Sequence, residues 1–333
     1  MKARFVSIAL LAALLALLAF GGLVSAQGPV RVAVVMPSSP TDLAWSQSIY
    51  SALVAVQAKM GGESAMEIAV SDNMFRVNEA EQALRDYADD GYDLVIAHGT
   101  QYGTSLFDLA PDYPETSFAW GTATDTGADR GITNVFAYEA SAEQGGYVNG
   151  VMAGLMTTSN VIGVVGPVPA GDALLYINGF RQGVAASNPN ASVLIAYTGS
   201  FGDTTAAAET AKTQIAAGAD VLTGSAQQVV GAIEAIQAAG GYWFGTQSDQ
   251  SVQWPSTVVV SQVFNWVPVI EDMLAQRANG VLGGIAYNLT LANGGLTFKF
   301  GSVGIAPQVL VAAGNATEAI LSGEIVVARE LPE

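Results

Sequence analysis

The strongest constraint on this chain is an alternation that begins at Val30. Short runs of branched and aromatic residues are followed, again and again, by a small loop and then a segment with helical spacing. Val30–Met36 is continuously apolar except for Arg31 and is closed by Pro37. Such a run suits a parallel strand buried on both faces, since a half-exposed strand would alternate in polarity. A helix is expected from about Ala44 to Lys59, with Ile49, Leu53 and Val56 on one face. Further strands are expected at Glu67–Val70, Asp93–Ala97, Ser117–Trp120, Val161–Val165, Ser192–Ala196, Asp220–Thr223, Tyr242–Phe244 and Thr257–Ser261. Helices are expected at Val77–Asp89, Ala140–Met156, Ala173–Ala186, Thr204–Ala217 and Val229–Ala238. Strand and helix alternating in this way imply an α/β fold of parallel sheets with right-handed crossovers.

The chain is too long for one compact core and divides into two doubly wound lobes. The first is expected over residues 27–139 plus about 264–291, and the second over about 140–263 plus 292–333. Phe264 leads back to the first lobe through a helix near Val269–Asn279. Gly294–Pro332 reads as strands and a short helix, Asn315–Leu321, completing the second lobe. Two lobes joined by several strands make a hinged clamp with its ligand between them. Most strand-end loops are rich in Gly, Ser or Pro, as in Met36-Pro37-Ser38-Ser39 and His98-Gly99-Thr100. In open α/β sheets ligands sit outside the carboxyl ends of the strands, so these loops are the expected walls of the site.

The N-terminus has the order of a secretory signal over residues 1–26. Lys2 and Arg4 precede an apolar run from Phe5 to about Gly22, and Val24-Ser25-Ala26 offers a cleavage site before Gln27. The alternative is a retained anchor, because the run approaches the length of a membrane span. There is no Cys, which excludes a lipidated Cys, disulfides and a thiol nucleophile. The net charge is −17, with 12 basic residues against 29 acidic ones. That balance argues against nucleic acid as a partner, since such binding needs a basic face. One His and no Cys make no ordinary zinc site. The chain has neither a Gly-x-x-x-x-Gly-Lys-Ser/Thr phosphate loop nor a Gly-x-Ser-x-Gly nucleophile elbow. No cofactor, metal or enzymatic activity is expected.

Several polar and aromatic residues stand on strand-end loops. Trp45 and Phe201 offer faces on which a ring can stack, worth roughly 1–3 kcal/mol against a nucleobase. Asp42 is read either as a ligand contact or as a helix N-cap. Asp249 accepts hydrogen bonds from ligand hydroxyls or ring N–H groups, or else caps its own loop. His98, the single His, follows a buried strand and is expected to point at the cleft. Gln101, Ser225, Gln227 and Asn265 are candidates for reading ring edges. Trp266, beside Phe264 at the last crossover, is expected on the cleft floor or packed in the hinge.

The order of motifs resembles the basic membrane protein family of ABC-importer solute-binding proteins, which includes purine nucleoside receptors. The resemblance is carried by Asp42-Leu43-Ala44-Trp45-Ser46-Gln47-Ser48, Asp93-Leu94-Val95-Ile96-Ala97-His98-Gly99, Tyr113-Pro114-Glu115-Thr116-Ser117-Phe118-Ala119 and Gly163-Val164-Val165-Gly166. It continues through Asn178-Gly179-Phe180-Arg181-Gln182-Gly183, Tyr197-Thr198-Gly199-Ser200-Phe201-Gly202-Asp203, Gly218-Ala219-Asp220-Val221 and Gly245-Thr246-Gln247-Ser248-Asp249-Gln250. It implies a type I periplasmic-binding fold and an extracytoplasmic, monomeric receptor. That receptor would deliver a flat solute to an ABC permease, or dock on a sensor. By the same resemblance Trp45 and Phe201 match the aromatics that sandwich the ring, and Asp249 matches a ribose-binding carboxylate. Nucleoside-binding members carry a Lys after the next strand. Here Phe264 stands in its place and no Lys occurs between Lys212 and Lys299, so a free purine base or a flavin is as compatible as a nucleoside.

Overall fold

The computed structural model describes residues 28–330. The expected signal segment, residues 1–26, lies outside them. Among the described residues no helix is long and apolar enough to cross a membrane.

Two six-stranded sheets form the frame. The first contains β1 (Val30–Val35), β2 (Met66–Ser71), β3 (Leu94–His98), β4 (Ser117–Gly121), β5 (Val135–Ala140) and the late strand β11 (Ala286–Leu289). Its spatial order is β11-β5-β4-β3-β1-β2, and every pair is parallel. The second contains β6 (Val161–Gly166), β7 (Ser192–Tyr197), β8 (Val221–Gly224), β9 (Tyr242–Gln247), β10 (Val258–Phe264) and β12 (Leu296–Phe300). Its order is β12-β10-β9-β8-β6-β7; only β12 runs antiparallel. The inner strands are the apolar runs of the sequence. All five residues of β3 and all four of β8 are buried, as strands covered by helices on both faces must be.

Helices α1 (Trp45–Met60), α2 (Val77–Asp89) and α3 (Gly103–Leu109) connect strands of the first sheet. Helices α4 (Ala142–Met156), α5 (Gly171–Ser187), α6 (Thr204–Ala216) and α7 (Val229–Ala238) serve the second. Helix α8 (Val267–Ala278) leads from β10 back to β11, and α9 (Pro307–Ser322) follows β12. Each lobe has its own small apolar cluster, and a larger one runs through the hinge from Val34 and Trp45 to Phe244 and Phe264.

Besides the strand Ala286–Leu289, which the pattern did not reveal, three local expectations change. Val135–Ala140 is a fully buried strand that the pattern did not reveal, because Glu139 interrupts the apolar run. Its carboxylate is held by Arg329 at 2.8 Å, which is what lets an acid occupy that strand. The short α3 was not expected either. The last helix begins at Pro307 instead of Asn315, with Pro at its first turn where the missing N–H costs nothing.

The chain passes between the sheets at Ala140–Ser141, at Phe264–Val267 and between β11 and β12. The crossings are stitched together. Ser141 N–H donates to the Leu289 carbonyl, and Asn265 N–H donates to that of Gly295, both at 2.8 Å.

Candidate ligand-binding site

Both sheets share the strand order in which the second strand lies on one side of the first and the third on the other. The order reverses between β1 and β3 in the first lobe, and between β6 and β8 in the second. Beyond the carboxyl ends of strands at such a reversal, successive loops diverge and leave a crevice. In this chain the two crevices combine into one interlobe cavity. The first lobe contributes Pro37 after β1, Trp45 at the start of α1, Thr100 and Gln101 after β3, and Thr122 after β4. The second contributes Asp172 at the start of α5, Phe201 after β7, Ala226 and Gln227 after β8, and Gln247 at the end of β9.

Trp45 is held on several sides. One ring face stacks on His98, with centroids 3.9 Å apart and planes 5° from parallel. Its indole N–H donates to the His98 carbonyl at 3.1 Å, and Phe264 and Trp266 meet the ring edge-on. A ring fixed in this way presents its contact surface at little entropic cost on binding. Phe201, half-buried on the opposite lobe, lines the same cavity.

His98 does not point at the cleft. It is fully buried behind Trp45, because its strand is internal and the indole covers it. Its Nε2 lies 3.0 Å from the Trp45 carbonyl, which can only accept, so Nε2 carries the hydrogen. Nδ1 then accepts from the Tyr138 hydroxyl at 2.6 Å. Burial lowers the imidazole's pKa to about 3, so the ring is neutral at ordinary pH. The residue acts as a support for the tryptophan.

Trp266 is likewise wholly buried and forms no part of the cavity wall. Its N–H donates to the Ser48 hydroxyl at 3.0 Å, and that hydroxyl donates to the Trp45 carbonyl at 2.7 Å. The last crossover is thereby tied to α1. Asp42 spends its carboxylate on the backbone N–H groups of Ala44, Ser46 and Gln47, so it caps α1. Burial raises its pKa against those hydrogen bonds. Asp249 accepts from the N–H and hydroxyl of Ser251, 3.0 and 2.5 Å away, and caps a short 3-10 turn. Asn265 stands at the hinge crossing. Ser225 is buried beside the cavity residue Ala226, and its hydroxyl has no hydrogen-bond partner. Of the ten residues chosen from sequence, Trp45, Gln101, Phe201 and Gln227 line the cavity.

Residues that sequence reasoning passed over complete the wall. Thr100 and Thr122 bond to each other through their hydroxyls at 2.9 Å. Gln247 and Ala226 both have positive φ, 74° and 71°, a backbone region that side chains other than glycine rarely occupy. The Ala226 N–H donates to the Gln247 side-chain oxygen at 3.2 Å. Asp172 is 3% exposed. Its Oδ1 accepts from the Ala140 N–H at 3.3 Å, and Oδ2 has no partner. Burial and the nearby Glu139 and Glu143 push its pKa well above the usual carboxylate range.

The lobes touch around the cavity. Ser248 donates to the Ala44 carbonyl and Gln250 to that of Leu43. Gly171, with φ +57°, lies where an added Cβ would come within 2.8 Å of the Thr122 hydroxyl on the other lobe. Among the described residues no group of three or more acidic or imidazole side chains is placed to hold a metal ion.

A purine-binding protein of Brucella abortus is 28% identical over 264 residues, 79% of this chain and 72% of that one. Among solved structures, a solute-binding protein of an ABC transporter system from Conexibacter woesei superposes with a TM-score of 0.72 at 23% identity. The match covers 90% of this chain and 99% of that one. Another from Aeropyrum pernix gives 0.73 at 19% identity, over 91% and 94% of the two chains. Residues 29–325 match the family described as ABC transporter substrate-binding protein, PnrA-like. The chain belongs to this Bmp family of solute-binding proteins, which are binding proteins and not enzymes.

Proposed function

We propose that the interlobe cavity takes a planar heteroaromatic solute of the purine class, nucleoside or free base. The protein works outside the cytoplasm as a monomer and delivers this solute to the permease of an ABC importer. The observation that carries the reading is that Trp45 and Phe201, from opposite lobes, line one cavity at the switch points of both sheets. Stacking on two aromatic side chains, with amides and hydroxyls at the rim, suits a flat ring with polar edges. The purine-binding relative supports the same class.

Two features favour a free base over a nucleoside. Among the described residues the cavity lining has no Lys or Arg, and Asp249, the candidate ribose contact, is committed to its own turn. Mass spectrometry of small molecules released from the purified protein tests the proposal directly. Titration calorimetry with adenine, guanine, adenosine, guanosine, urate and riboflavin complements it. Stoichiometric binding without turnover is expected; silence across the whole panel would sink the aromatic-ligand reading.

A further inference from the structure

We propose that Asp172 is the specificity-determining contact of the cavity, and that it selects amino-substituted heterocycles whose exocyclic amine sits beside a basic ring nitrogen. This rests on the heteroaromatic reading above and goes beyond it in naming the edge that is read and the residue that reads it.

Among the described residues, Asp172 is the one ionisable side chain lining the cavity. It is 3% exposed, and its Oδ2 has no hydrogen-bond partner among the described residues. A buried polar atom left unpaired costs about 1–3 kcal/mol, a cost recovered when a ligand completes the bond. Oδ1 is already tied to the Ala140 N–H at the hinge crossing, which fixes the plane of the carboxyl group.

The surroundings decide which edge fits. The charged and titratable groups acting on Asp172 are Glu139, Glu143, Arg329 and the Tyr138 hydroxyl. Arg329 is engaged with Glu139 at 2.8 Å, and Glu143 is 4% exposed with one carboxyl oxygen unpaired. Burial first, and Glu139 and Glu143 after it, raise the Asp172 pKa and favour the protonated carboxyl. A protonated carboxyl offers one donor and one acceptor side by side. An amine next to a ring nitrogen offers the matching acceptor and donor. The basic nitrogen is a better partner for that acidic proton than a carbonyl oxygen is.

The test is calorimetric affinity for adenine, unsubstituted purine and hypoxanthine, measured on the native chain, Asp172→Leu and Asp172→Asn, with thermal melting to confirm folding. Purine lacks the amine, and hypoxanthine replaces the amine edge with a lactam. The native protein should prefer adenine to both by tenfold or more. Asp172→Leu should remove that preference, weakening adenine at least tenfold more than it weakens purine. Asp172→Asn keeps one donor and one acceptor, though not the acidic proton, and should retain the preference over purine to within about threefold, which also covers the case of a poorly folding Leu variant. Equal native affinities for the three compounds would overturn the assignment while leaving the heteroaromatic reading intact. A preference over purine that survives in Asp172→Leu, or is lost in a folded Asp172→Asn, would overturn it as well. A native protein that binds none of the three, and none of the wider panel, would refute both readings.

Discussion

The hydroxyl of Ser248, just beyond β9 in the second lobe, donates to the backbone carbonyl of Ala44 at the head of α1 in the first, at 2.6 Å. Gln250 adds a bond to the Leu43 carbonyl at 3.2 Å. These bonds join the lobes beside the cavity and must break when it opens. A neutral hydrogen bond contributes about 1 kcal/mol net, so Ser248→Ala should speed solute release several-fold with little change in association. Stopped-flow displacement reads this. An unchanged release rate would mean that the bond is absent from the loaded form.

The two aromatic walls should respond differently to truncation. Phe201 is half-buried on a loop, so Phe201→Ala should weaken solute binding by at least tenfold and leave the melting temperature within a few degrees. Trp45 is 5% exposed and packed against His98, Phe264 and Trp266. Trp45→Ala should therefore lose binding and also about 3–5 kcal/mol of stability, as large buried aromatics do. Paired calorimetry and urea unfolding separate the two effects. Full affinity in Phe201→Ala would place the solute elsewhere.

The fold was legible because its signal is local. Strands such as β3, buried on both faces, must be apolar throughout, and each ends where a small loop residue stops the run. The strand Val135–Ala140 escaped because the partner that makes Glu139 tolerable, Arg329, lies 190 residues away. The site was legible only in part, for the same reason. Trp45, Gln101, Phe201 and Gln227 sit on loops whose placement follows from strand order alone. His98 and Trp266 occupy similar positions in sequence, yet each is covered by a neighbour contributed from a distant segment. Asp172 escaped notice because an acid in the first turn of a helix ordinarily answers the helix dipole. Its bond to the Ala140 N–H comes from the crossover 32 residues earlier, which no local pattern reveals.

His98 should leave a mark on the pH dependence of stability. Its folded pKa, about 3, lies below the ordinary value of 6.5. Between those values the unfolded chain takes up a proton that the folded chain refuses, so acidification through this window costs stability. The slope from one such group reaches about 1.4 kcal/mol per pH unit. Asp42 and Asp172, whose pKa values are raised, act in the opposite sense. A comparison with His98→Gln cancels them, since Gln keeps a donor for the Trp45 carbonyl and an acceptor for Tyr138 without titrating. The native protein's stability relative to the variant should fall as pH drops from about 6.5 towards 4. A difference constant across that range, by urea unfolding, would contradict the burial of a neutral imidazole.

Gly171 lies where the two lobes come close together. It begins α5 with φ +57°, and an added Cβ would lie 2.8 Å from the Thr122 hydroxyl and 3.2 Å from that of Thr100. Both hydroxyls belong to the first lobe, and they are already bonded to each other. A side chain at 171 therefore meets two constraints: a backbone conformation that branched residues avoid, and a close contact with the other lobe. Gly171→Val should weaken solute binding by tenfold or more, chiefly through a smaller closed population. Small-angle scattering should show a larger radius of gyration for the variant than for the native protein at the same saturating solute concentration. Gly171→Ala should show the same effects to a lesser degree. Native affinity and native compaction in Gly171→Val would mean that closure on solute does not bring Gly171 against Thr122.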